Sequence, residues 1–155
     1  MQRTPNARIA EMNTAFGNPR GNPSSIDHQK LKSQCKNILD EYIELMDAIA
    51  AGDLDGVRDA LCDIQVFASG AQHMMGVNAD ADMHAVIDGV MTRFIKTPDD
   101  RLATMMMHHA KGVTEIYFEG DYPRMVMKSK VDQPDAPKGK FLKSASYSAT
   151  VFPPL

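Results

Sequence analysis

Two long apolar stripes at helical period, separated by one glycine-bearing break, constrain this chain more than anything else in it. In the first, Leu31, Cys35, Ile38, Tyr42, Leu45 and Ile49 follow one another at spacings of three and four; in the second, Val57, Ala60, Leu61, Ile64, Phe67, Ala68 and Ala71 line one face. Ala51-Gly52-Asp53 stands between them, and a glycine just past a periodic run closes a helix by taking the left-handed conformation. The pair predicts a helical hairpin, with Ser24 or Ser25 capping its first helix.

The flanking segments extend the helical reading. Ile9, Met12 and Phe16 predict a short helix over about residues 3–16, closed by Gly17-Asn18-Pro19 and Gly21-Asn22-Pro23. After Gly76-Val77-Asn78, Asp80 or Asp82 caps a fourth helix carrying Met83, Val86, Ile87, Val90, Met91 and Phe94. Pro98, followed by Asp99 and Asp100, opens a fifth helix that runs through about Lys111. Twelve methionines, no tryptophan and 6% aromatic residues suit a Met-rich, adaptable helical interior better than a β-sandwich.

Beyond Gly112 the character changes. Thr114-Glu115-Ile116-Tyr117-Phe118-Glu119 and Met125-Val126-Met127 flank a Gly120-Asp121 turn signal and predict a small β-hairpin. From Val131 the chain is rich in Pro, Lys and Ser, which reads either as a tail or as an arm wrapped on another subunit. The expected fold class is all-α: a bundle of about five helices with a small C-terminal β-hairpin and an extended tail. Residues 1–111 form the helical domain, and 112–155 form the hairpin and arm of that same domain.

Charge and cysteine usage narrow the function classes. A formal net charge of −3 gives no global positive field to draw the chain onto nucleic acid or anionic lipid. No stretch approaches the roughly 18 consecutive apolar residues of a membrane span and no apolar signal core follows Met1, so a cytoplasmic protein is expected. Cys35 and Cys62 lie in separate helical patterns and supply neither a disulfide framework nor a zinc site; both are expected to be reduced, buried thiols. His108 and His109 are adjacent on a helix, point apart and cannot chelate one ion. His28, His73 and His84 are isolated, and no Gly-x-x-x-x-Gly-Lys loop or Gly-x-Ser-x-Gly elbow occurs.

The informative feature is where the acids fall on the hairpin. Glu41 and Glu44 are three apart on its first helix, and Asp59 and Asp63 are four apart on its second, so each pair shares a face. With the turn near residue 52, a rise of about 1.5 Å per residue brings the two pairs level across an antiparallel interface. Four close carboxylates repel unless a cation compensates, and a hard divalent ion with oxygen ligands is the natural compensation. Magnesium fits, with manganese as a substitute, and such a site suits phosphate anhydride chemistry. The same acids also suit an ordinary solvated helix face. Asp40 and Asp47 stand beside them as neighbours rather than as ligands.

These residues resemble a known family. Asp40-Glu41-Tyr42-Ile43-Glu44, the Ala51-Gly52-Asp53-Leu54 loop and Asp59-Ala60-Leu61-Cys62-Asp63-Ile64 are similar to the paired acidic motifs of the MazG-like all-α nucleoside triphosphate pyrophosphohydrolases. That family carries Glu-x-x-Glu on one helix and usually Glu-x-x-Asp on the next, and its acids hold magnesium on the triphosphate. Glu41, Glu44 and Asp63 match directly, and by resemblance they are both catalytic and metal-binding. The first acid of the second motif falls on Ala60 here, and Asp59, one residue earlier, is its replacement as a metal ligand.

Ala15-Phe16-Gly17-Asn18-Pro19 and Gly139-Lys140-Phe141-Leu142-Lys143 resemble a phage-type branch of the family. The resemblance implies dGTP or dATP as substrate, a homodimer or homotetramer, and the host cytoplasm for a phage-encoded chain. Relatives have an Asn and a Lys after the fourth helix, where this chain has Arg93-Phe94-Ile95-Lys96. Lys96 then takes the phosphate-contacting part and Arg93 covers for the Asn, or both are ordinary helix C-terminal cations. Lys140 and Lys143 likewise either reach the triphosphate or belong to a solvated tail.

The expected reaction is magnesium-dependent hydrolysis of a nucleoside triphosphate to the monophosphate and pyrophosphate, in residues 1–111 as the catalytic domain. The alternative is a non-catalytic helical module that senses nucleotides or binds a protein, for which the missing acid at Ala60 speaks. Nucleic-acid binding through the basic tail is a third reading, opposed by the acidic net charge.

Overall fold

Capping groups set the helix ends. In the computed structural model, which describes residues 3–155, Thr4 accepts from the Ala7 N–H at 3.2 Å and Pro5 opens α1 (Pro5–Ala15). Asp27, rather than Ser24 or Ser25, caps α2 (His28–Ala51): its carboxylate accepts from the N–H groups of Gln29 and Lys30 at 3.0 and 3.1 Å. Gly52 ends α2 at φ 68°, where a side chain would be strained. Asp53 then caps α3 (Leu54–Met75), which Gly76 terminates in the same left-handed conformation. The chain divides into two compact units: residues up to Met83 with Pro153–Leu155, and His84–Phe152.

The first unit is the expected hairpin with α1 against it. The Gly52-Asp53 link reverses the chain, so α2 and α3 pack along each other, and α1 packs on α3. Ala60, Gly70, His73 and Met74 are the buried positions of α3. The stripe on α2 behaves otherwise than its period suggests, since no residue of this helix is fully buried. Leu31, Ile38 and Leu45 are half-buried, while Cys35, Tyr42 and Ile49 are exposed. Two helices cover only one flank of each other, and the remaining flank of α2 shows Leu39, Ile43 and Met46 on the outside. Phe16, placed by sequence on the apolar face of α1, follows the helix end and is 74% exposed.

The loop after α1 is held by close backbone contact. Gly21 N–H donates to the carbonyl of His73 at 3.0 Å, and a Cβ on Gly21 would lie 1.8 Å from the carbonyl oxygen of Met74. Arg20 completes the closure by donating from Nε and Nη2 to the carbonyl of Gly76 at 3.1 and 2.7 Å.

Helix α4 (Ala79–Met91) begins after Asn78, whose side chain accepts from the Ala81 N–H at 3.2 Å. Asp80 and Asp82 are therefore first-turn acids and not caps. The stripe Met83, Val86, Ile87, Val90 and Met91 is exposed throughout, and Phe94 falls beyond the helix, stacked at 6.0 Å between centroids on Phe141. Methionines thus serve the surface as much as the interior, since Met46 and Met106 are exposed as well.

The second unit has the only hydrophobic cluster of buried residues among those described: Ile95, Val113, Met127, Ala136 and Leu142. Helix α5 (Pro98–His109) starts at Thr97, whose hydroxyl accepts from the Asp100 N–H. The predicted hairpin is present as β1 (Ile116–Glu119) and β2 (Val126–Ser129), antiparallel with Phe118 opposite Met127. Lys128 bonds Glu119 at 2.6 Å, and that hydrogen bond holds the ammonium above its ordinary pKa.

Residues read as a tail are part of this unit. A third strand, β3 (Phe141–Leu142), pairs with β2, setting Leu142 opposite Met127. Gln133 ties the region to β1 by accepting from the N–H groups of Thr114 and Glu115 and donating to the carbonyl of Glu115. Contacts group α5 with the sheet in this unit.

Candidate active site

The acids of the two hairpin helices act on one another electrostatically. Glu41 is half-buried on α2, Glu44 is exposed one turn on, and Asp63 and Asp59 are half-buried and exposed on α3. Partial desolvation, followed by the negative charges of Glu44, Asp63, Asp59 and Asp40 in falling order, holds the Glu41 carboxyl above the ordinary carboxylate value. The four acids therefore share one field across the hairpin. Among the described residues no three His, Cys, Asp or Glu side chains converge closely enough to form a ligand shell.

The donor set still fits a hard divalent ion. It consists of carboxylate oxygens alone, and none of the four makes an ion pair among the described residues. Arg58, next to Asp59 in sequence, pairs with Asp55 instead. An uncompensated set of carboxylate oxygens is the donor chemistry that suits magnesium or manganese.

The second acidic motif shows where this chain is unusual. Ala60 is 4% exposed, so the missing acid is replaced by a buried methyl group. Asp59, one residue and about 100° earlier on the helix, opens instead on a shallow groove with Asp55, Gly56, Arg58 and Cys62. Its charge reaches Glu41 less strongly than that of Asp63. Cys62 and Cys35 are free thiols but exposed, not buried as the sequence suggested.

The cations singled out by sequence are partly assembled. Arg93, Lys140 and Lys143 line one cavity of about 490 Å³ in the second unit, and Lys111, His108 and Tyr147 line it with them. Lys96 is not among its lining residues; its backbone N–H donates to Asp100 at 3.1 Å and its side chain is exposed. Both Arg93 and Lys96 lie past the end of α4 at Met91. Sequence reasoning missed Lys111 and Tyr147, which are remote from Arg93 along the chain and adjoin it only once β3 and the following turn are in place. His108 is buried, with Nε2 at 2.9 Å from the carbonyl of Lys143.

No helix among the described residues is long and apolar enough to cross a membrane. No curated protein matches the chain. A family model described as phosphoribosyl-ATP pyrophosphohydrolase matches residues 9–93, which takes in α1 from Ile9, both acidic motifs, α4 and Arg93. That family falls within the MazG-like all-α nucleoside triphosphate pyrophosphohydrolases. With more than half its length matched and Glu41, Glu44, Asp59 and Asp63 all inside the match, the chain belongs to the phosphoribosyl-ATP pyrophosphohydrolase family.

Proposed function

We propose that this member of a pyrophosphohydrolase family hydrolyses nucleoside triphosphates, purine deoxynucleotides foremost, to the monophosphate and pyrophosphate in a magnesium-dependent reaction. The observation that carries the reading is the uncompensated carboxylate set of α2 and α3, in which the Glu41 carboxyl is raised by desolvation and by its three partners. Glu41, Glu44 and Asp63, with Asp59 as the fourth, are the residues that would hold the metal. Magnesium bound there supplies charge compensation for the phosphates and an acidified water.

The chain's own groups account for the remainder. The oxygen of water forms a bond to phosphorus as a phosphoanhydride P–O bond breaks, and the electron pair leaves with pyrophosphate. A carboxylate of the set, or Asp40 beside it, takes the water proton. Arg93, Lys96, Lys140 and Lys143 are the proposed phosphate contacts, as cations that balance the charge of the leaving group.

Self-association belongs to the same reading. A helix of 24 residues with no buried side chain has an apolar flank, Leu39, Ile43 and Met46, that a second copy in a dimer or tetramer would cover. The cytoplasm is the proposed location.

Product chromatography after incubation with each of the eight standard NTPs and dNTPs, and with phosphoribosyl-ATP, tests the proposal, with Glu44→Gln as control. Monophosphate and pyrophosphate from a purine dNTP, by the wild type alone, is the expected result. Turnover of phosphoribosyl-ATP alone moves the substrate to that compound. No turnover with magnesium or manganese favours the second reading, a nucleotide-sensing module, for which the buried methyl group at Ala60 is the supporting observation.

A further inference from the structure

We infer that the cavity ringed by Arg93, Lys111, Lys140 and Lys143 in the second unit is a preformed, metal-independent binding site for a phosphate chain. Four cationic side chains and a single carboxylate, that of Asp135, line it. Among the described residues none of the four cations is paired with an acid. Lys140 donates instead to the backbone carbonyl of Asp135. Arg93 and Lys143 both stand on the Tyr147 ring, with the guanidinium carbon 5.6 Å and the ammonium 4.3 Å from its centroid. A tyrosine face attracts cations but does not neutralise them.

Arg93 carries the second half of the reasoning. Its Nε is buried with no hydrogen-bond partner among the described residues, and a buried guanidinium donor left unpaired is costly. Arg93 lines the cavity, and the rest of its guanidinium, rather than the enclosed Nε, is the fork that matches phosphate oxygens.

The frame that carries these groups is hydrogen-bonded on several sides. Ser144 donates to the carbonyl of Thr92 at 2.8 Å, Ala145 N–H donates to Thr104 Oγ1 at 2.8 Å, and His108 bonds the carbonyl of Lys143. These bonds tie the chain from Lys143 to Ala145 to α5 and to the turn after α4. A volume of about 490 Å³ lies within the roughly 300–1,000 Å³ range of small-molecule sites.

The anion has two possible sources, free pyrophosphate or the phosphate chain of a nucleotide. The inference rests on the hydrolytic reading for the choice of a phosphate chain, but not for the existence of an anion site. Isothermal titration of the full chain in EDTA at low salt tests it, with pyrophosphate, dGMP, dGTP and sulfate as separate probes. Wild type and Glu44→Gln are expected to bind pyrophosphate or dGTP alike, and Arg93→Gln/Lys143→Gln to bind at least tenfold more weakly.

Pyrophosphate without dGTP would mark a product site, and dGTP above pyrophosphate a nucleotide site; either supports the inference. Lys111→Gln and Lys143→Gln alter exposed side chains and keep the test decisive where Arg93→Gln disturbs folding. No binding by the wild type, sulfate binding as tight as pyrophosphate, or unchanged affinity in Lys111→Gln/Lys143→Gln overturns it. Failure of hydrolysis with pyrophosphate binding intact strikes the hydrolytic reading alone; hydrolysis without binding in EDTA strikes the anion site, and with it Arg93, Lys140 and Lys143 as phosphate contacts.

Discussion

The hydroxyl of Ser144 donates to the carbonyl of Thr92 at 2.8 Å across 52 residues of sequence, and the backbone N–H of Ser148 returns to the Thr92 hydroxyl at 2.9 Å. This pair of bonds ties the C-terminal segment to the turn after α4. Ser144 is 2% exposed, so its removal leaves a buried carbonyl without its partner. Ser144→Ala is expected to cost about 1–2 kcal/mol, read in thermal melting as a fall of a few degrees. An unchanged melting temperature would show that the segment is not held by this bond.

A larger loss is expected at Gly21. The 1.8 Å separation between a Cβ there and the Met74 carbonyl oxygen leaves no room without moving the backbone that closes α3. Gly21→Ala should destabilise by about 2–3 kcal/mol, roughly 5–10 °C in a domain of this size. Gly112→Ala is a different case, because nothing lies within 4 Å and its cost comes only from a φ of 79°. Equal losses at the two positions would contradict the close-packing account.

Helices and their ends were the legible part of this chain, since the apolar period and the glycines at 52 and 76 report directly on local geometry. Capping residues were less so: Ser24, Ser25 and Asp27 have similar preference for the position, and only the folded loop decides among them. Periodicity also cannot distinguish a stripe that meets a core from one left outside, as Val86, Ile87 and Val90 are. The segment after Val131 escaped because it is held by a two-residue strand and by side-chain-to-backbone bonds of Gln133, Ser144 and Thr104, which leave no period. The acids were legible as spacing on one hairpin. Lys111 and Tyr147, remote from Arg93 along the chain, were not.

Metal dependence should appear as stability before it appears as turnover. Magnesium or manganese that binds the folded state raises the melting temperature by mass action, and Glu44→Gln should abolish most of the rise. Its activity should fall by more than the roughly 10–100-fold that loss of an outer partner of a metal ligand costs. Asp59→Asn tests the replacement for Ala60: full activity and metal affinity there would remove Asp59 from the site and leave three acids.

The Glu41 carboxyl gives a pH signature whose sign changes with metal. Desolvation and the charges of Glu44, Asp63, Asp59 and Asp40 raise its folded-state pKa, so the folded chain binds this proton more tightly than the unfolded chain does. A group of this kind contributes stability fully below its unfolded pKa, near 4.3 for a glutamate, and loses that contribution as pH rises through the folded value. Once pH exceeds the folded-state pKa, in EDTA, the ionised Glu41 therefore opposes folding, and Glu41→Gln should raise the melting temperature. The difference should shrink as pH falls toward 4, where the wild-type carboxyl is itself protonated. Added magnesium reverses the order, because the wild type gains an ion that the glutamine variant holds weakly. Melting curves of both proteins at pH 4 and 7, with EDTA or magnesium, check all four arms; a Glu41→Gln variant less stable than wild type at pH 7 in EDTA would show that the carboxylates are not in mutual repulsion.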